Sequence, residues 1–153
     1  MGECWWAMLV AHHRVVAAMR VPARALFATA ALFNFATAAA LFFFSRELFI
    51  AMELSALYRA ELVPWLRQLA GLILVFGIGY GMVAWRPVEY RSLAVLGCIG
   101  KLAVVVLSIA NAMVLPALLP GLWVAAVDGV FGVLFALYLL SSKPCRSSPT
   151  GLN

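Results

Sequence analysis

Apolar residues in this chain gather into four long blocks separated by short polar stretches. Residues 25–44 hold no charge and are entered from Arg20, Pro22 and Arg24. Residues 69–85, 92–115 and 122–140 have the same texture, and the last two carry one charged side chain each, Lys101 and Asp128. A hydrocarbon core about 30 Å thick is crossed by about 17–25 helical residues. The pattern therefore predicts an all-α membrane protein, a four-transmembrane-helix bundle.

Residues 45–68 break the pattern. Arg46, Glu47, Glu53, Arg59 and Glu61 alternate at roughly helical spacing with Leu48, Phe49, Met52, Leu57 and Tyr58. That spacing predicts an amphipathic interfacial helix between the first and second spans, closed by Pro64 and anchored at the membrane surface by Trp65. At the other end of the bundle, Arg86, Pro87, Glu89 and Arg91 make a tight basic turn. Pro116 and Pro120 bracket an uncharged loop that folds the third and fourth spans into an antiparallel hairpin.

Composition sharpens this picture. The chain is 66% hydrophobic and 11% charged over 153 residues, against about 25% charged in a soluble domain. The formal charge of +5 sits at the block ends rather than in a stripe, which argues for topology and against nucleic acid as a partner. Arg14, Arg20, Arg24, Arg86, Arg91, Lys143 and Arg146 fall on one side of a four-span protein. Arg46, Arg59 and Arg67 fall on the other, offset by Glu47, Glu53 and Glu61. The positive-inside rule then places both termini in the cytoplasm of a bacterial inner membrane. Residues 1–24 read as a cytoplasmic or interfacial extension, 25–140 as the membrane domain, and 141–153 as a disordered tail rich in serine and proline.

No metal site is expected. Cys4, Cys98 and Cys145 are scattered, and the adjacent His12 and His13 point about 100° apart on a helix. There is no HExxH, no GxSxG and no Cys–His pairing, so enzyme readings rank low, and the sequence leaves any cofactor open.

The chemistry concentrates in the spans. A charge inside a membrane helix costs about 2.5–3.5 kcal/mol on insertion scales, so such residues are normally paired or functional. At about 1.5 Å rise per residue, Lys101 lies about 15 Å from Arg91, Asp128 about 18 Å from the same edge, and Asn34 about 15 Å beyond Arg24. All three reach the midplane. Tyr80 starts nearer the basic edge, with its hydroxyl within reach. The expected site is thus a buried polar cluster of Asn34, Tyr80, Lys101 and Asp128, with the Lys–Asp ion pair at its centre. Gly77 and Gly81 form a small-xxx-small pair, and Gly97, Gly100, Gly129 and Gly132 supply further close-packing positions.

The run GLILVFGIGYGMVAWRPVEYRSLAVLGCIGKL, followed by VDGVFGVLFALYLL in the fourth span, resembles a family of small bacterial four-helix membrane proteins of unassigned function, broadly DoxX-like in architecture. The resemblance rests on Gly77, Gly79, Tyr80, Pro87, Gly97, Gly100, Lys101 and Asp128. It implies the fold, the topology and the Lys/Asp pair, and no activity.

Two functions fit. The first is an accessory or structural subunit of a larger membrane complex or homo-oligomer, assembled through small-residue helix faces and the amphipathic segment. The alternative is a small-ligand protein that binds or transports a quinone, a lipid or an anion at the Lys–Asp site.

Overall fold

A computed structural model describes residues 22–141. The expectations for the amino-terminal extension up to residue 21, including His12 and His13, and for the tail from residue 142 lie outside these residues. Among the described residues the chain forms five α-helices and no strand. They are α1 (Ala23–Phe43), α2 (Ser45–Ala51), α3 (Val63–Trp85), α4 (Arg91–Val114) and α5 (Leu122–Ser141). Short 3-10 turns, Ser55–Leu57, Ala60–Leu62 and Pro116–Gly121, fill the connections. The four long helical segments are each long and apolar enough to cross a membrane.

The burial pattern is that of a protein whose outside is lipid. On α3, Leu72, Val75 and Ile78 are exposed, while Ala70, Gly77, Tyr80 and Val83 are buried. On α4 the buried stripe Ala94, Gly97, Cys98 and Lys101 has helical spacing, and Leu96, Ile99 and Val106 face outward. Large aliphatic side chains thus form the surface, and small, aromatic and polar ones form the interior. Lipid tails are as apolar as leucine, so nothing drives leucine inward, and close packing of small residues joins the helices instead.

Helix α1 packs chiefly on α3, and α4 chiefly on α5. The two pairs meet at the α3–α4 turn end. There Phe27 of α1 stacks on Phe135 and Tyr138 of α5, with ring centroids 4.5 and 5.2 Å apart, and Tyr80 of α3 meets Phe135 edge-on at 5.1 Å. Two hydrogen bonds secure this end: the Tyr138 hydroxyl donates to the Pro87 carbonyl (2.7 Å), and the Arg91 guanidinium donates to the Leu139 carbonyl (2.7 Å). Arg91 therefore caps the carboxyl end of α5, where a cation meets the unsatisfied carbonyls of the last turn.

The segment between α1 and α3 is divided differently from its spacing. Its helix ends at Ala51 rather than running to residue 68, because Glu53 adopts a left-handed backbone (φ 59°). The Leu54 amide then donates to the Phe49 carbonyl and the Glu53 amide to the Ile50 carbonyl, the paired bonds that end a helix in a Schellman turn. Pro64 closes nothing; it sits in the first turn of α3, where its missing N–H costs no helix bond. The turn presses Met52 and Leu54 against Gly121 at the start of α5: a Cβ there would lie 3.1 Å from Met52 and 3.3 Å from Leu54. This arm forms a roof over the end of the bundle opposite the α3–α4 turn.

The glycines are unequal. A Cβ on Gly97 would overlap the buried Tyr80 ring, one on Gly77 would meet Phe35 at 2.7 Å, and one on Gly132 would meet Leu102 at 3.1 Å. Gly100 and Gly129 make only ordinary contacts, with Phe76 and Val105, and Gly81 faces open space. Among the described residues the Gly77–Gly81 spacing is thus used at Gly77 alone. Tyr80 is locked between Phe27, Phe76 and Phe135, whereas the ring of Phe35 is 38% exposed and free to turn toward lipid. Gly97→Ala is therefore expected to cost about 1–3 kcal/mol as an overpacking change, Gly77→Ala less, and Gly81→Ala close to nothing. Denaturation midpoints in mixed detergent micelles check the order.

Candidate functional site

Each of the four long helices contributes one group to a single hydrogen-bonded chain near its own middle. The Asn34 amide of α1 donates to the Ile73 carbonyl of α3 (3.3 Å). The Lys101 ammonium of α4 donates to Asn34 Oδ1 (3.0 Å) and to Asp128 Oδ1 of α5. Lys101 and Asp128 form an ion pair, and Asn34, Lys101 and Asp128 are all buried. Gly77, one turn beyond Ile73, makes room for this: a Cβ there would stand 3.3 Å from the Asn34 Cβ.

The surroundings of the ammonium are aromatic. Its nitrogen lies 5.3 Å from the Phe33 ring centroid, 5.6 Å from Phe131 and 5.9 Å from Tyr80. Ring faces attract a cation at such distances, and more strongly where water is excluded. Tyr80 joins the cluster through its ring. Among the described residues its hydroxyl makes no hydrogen bond to the other three, contrary to the expectation that the hydroxyl reaches them. Phe33 and Phe131 belong to the same shell; the sequence places Phe131 within a helical turn of Asp128, and Phe33, next to Asn34, carries no signal of its own.

Above this cluster, residues of all four long helices enclose a cavity of about 510 Å³. That volume falls within the range of small-molecule sites, about 300–1,000 Å³. Asn34, Lys101 and Asp128 form its polar floor, and Leu48 and Met52 reach it from the α2 arm. Its walls are otherwise nearly all aliphatic and aromatic. Leu69, Val104 and Trp123 line it and are also exposed on the outer surface of the bundle. The cavity therefore reaches the lipid-facing sides between the helix pairs.

Cys98 serves packing: its thiol, buried in α4, points at the Gly132 carbonyl at 3.5 Å. No family model, curated protein or solved structure matches this chain, so its function has to be argued from this geometry.

Proposed function

We propose that the protein binds a small lipophilic molecule within the membrane, with the molecule's polar end on the Asn34–Lys101–Asp128 floor and its apolar body in the cavity. The observation that carries this reading is the coincidence of the two features: the buried ion pair lies at the bottom of a largely apolar cavity of about 510 Å³. A pair that served packing alone would be best enclosed by side chains on every side, since a polar network is worth most when every member is satisfied. The bacterial inner membrane, the cytoplasmic termini and kinship with the small bacterial four-helix family belong to this proposal. Its support is the sorting of basic residues, with Arg24, Arg86 and Arg91 at one end and Arg46, Arg59 and Arg67 beside three glutamates at the other.

An accessory-subunit role is the second reading. Gly81 favours it, since a Cβ there would meet nothing among the described residues, and a neighbouring helix could approach that flank of α3 closely. Gentle extraction followed by native mass spectrometry separates the two. Ala40→Phe narrows the cavity from α1 without touching the polar floor. A lipophilic adduct present on the wild-type chain and lost from Ala40→Phe is the expected result. Stable co-migration with other subunits, with no adduct, would favour the accessory role instead.

A further inference from the structure

The polar floor specifies the head of the occupant more narrowly than "polar", an argument that rests on the ligand-binding reading above. Lys101 and Asp128 carry one charge of each sign, or none if the proton has passed between them, so the floor is electrically neutral in either state. An anion placed on it would bring an uncompensated charge into an apolar cavity, where isolated charges are strongly disfavoured. A cation meets the same objection, and Lys101 already occupies the aromatic shell.

The unused hydrogen-bonding capacity points the same way. An ammonium has three N–H donors and a primary amide has two. Among the described residues, Lys101 uses two of its three, on Asn34 and Asp128, and Asn34 uses one of its two, on the Ile73 carbonyl. Asp128 accepts through Oδ1, while among the described residues Oδ2 accepts nothing. Three groups that line one cavity thus offer two donors and one acceptor to an occupant. In an apolar surrounding such groups gain from a partner.

We infer that the cavity takes a neutral amphiphile whose head presents a hydrogen-bond acceptor to Lys101 and Asn34 and a hydroxyl to Asp128, with one apolar chain lying along the walls toward the α2 arm. A glyceride with free hydroxyls and a ring that bears carbonyl and hydroxyl groups share this chemistry. A free anion does not.

Trp123 lines the cavity and reports on it. The full-length protein in nanodiscs is titrated with three probes of equal chain length, each brominated on the chain so that it quenches tryptophan fluorescence: a monoacylglycerol, an alkyl sulfate and an alkane. Because Trp123 also faces lipid, the cavity signal is the part of its quenching that is lost in Ala40→Phe, which fills the cavity and keeps Trp123. The monoacylglycerol is expected to act at about tenfold lower mole fraction than either other probe, equivalent to about 1.4 kcal/mol. Asp128→Asn gives the floor a net positive charge and should turn the preference toward the sulfate. If that variant does not fold, the wild-type series alone decides. An unbrominated alkyl hydroxyquinone, added as a competitor, shows by displacing the glyceride more readily than unbrominated monoacylglycerol does that the natural head is a ring; weaker displacement identifies a glyceride.

Sulfate binding as tight as the glyceride in the wild type, or an alkane binding equally well, would overturn the neutral-head inference and leave the cavity reading standing. Quenching by all three probes that is the same in the wild type and in Ala40→Phe would remove both.

Discussion

Lys101→Met is expected to destabilise the folded protein by about 3–5 kcal/mol, the usual cost of removing one partner from a buried ion pair. The loss is of two kinds. One is the attraction itself, together with the hydrogen bond to Asn34. The other, and the larger, is the abandonment of Asp128, a carboxylate buried in the bundle with no other partner among the described residues. Asp128→Asn does the reverse, leaving an ammonium held only by Asn34 and three rings. The double variant Lys101→Met/Asp128→Asn leaves no charge behind and should recover more than half of either single loss. Folded yield and detergent-denaturation midpoints of the four proteins test this as a cycle. Equal losses in all three variants would mean that the side-chain shapes matter and the charges do not. Asn34→Leu provides the scale: interhelical hydrogen bonds in membranes average only about 0.6 kcal/mol, so its effect should be several times smaller.

Much of this site is legible in the sequence, because depth in a membrane is readable by counting. Helical rise alone carries Asn34, Lys101 and Asp128 to the midplane, and the structure joins them by direct hydrogen bonds. Counting fixes position along a helix and leaves rotation and separation open. Tyr80 shows this limit, since it has the right reach but meets the cluster through its ring. The cavity shows it more clearly. It lies between helices brought together by their pairing, α1 on α3 and α4 on α5. No local pattern in residues 33–48 or 100–128 encodes that pairing.

The spans themselves were the easier part, and their ends move by two residues or fewer except at the start of α3. There the sequence leaves open whether Pro64 ends one helix or opens the next, since a proline is at home in a first turn, and six residues ahead of position 69 join the helix. The shortness of α2 was not readable, because its end depends on a left-handed glutamate, a conformation that spacing does not announce outside glycine or asparagine. Likewise the Gly77–Gly81 motif says that two positions are small without saying that a helix covers both.

Phe27→Ala is the second large effect expected, about 3 kcal/mol, at the lower end of the range for phenylalanine truncation. The lower end is appropriate because part of the cost measured in soluble proteins is loss of transfer from water, and a side chain in a bilayer has little transfer to lose. What remains is the void. Phe27 is fully buried and touches Tyr80, Phe135 and Tyr138, so its removal strips contacts from α3 and α5 at once and weakens the main aromatic junction between the helix pairs. Leu72→Ala on the lipid face of α3 is the control: it removes an aliphatic side chain that exchanges contacts with lipid and should shift the denaturation midpoint only slightly. A Phe27→Ala shift no larger than that of Leu72→Ala would mean that the Arg91–Leu139 and Tyr138–Pro87 bonds hold the turn end without the aromatic stack. The same variant also separates closure from binding. Phe27 lies beyond the polar floor from the cavity, so a protein that is destabilised yet still folded should keep its adduct, whereas loss of both would make the closed turn end a condition for the cavity.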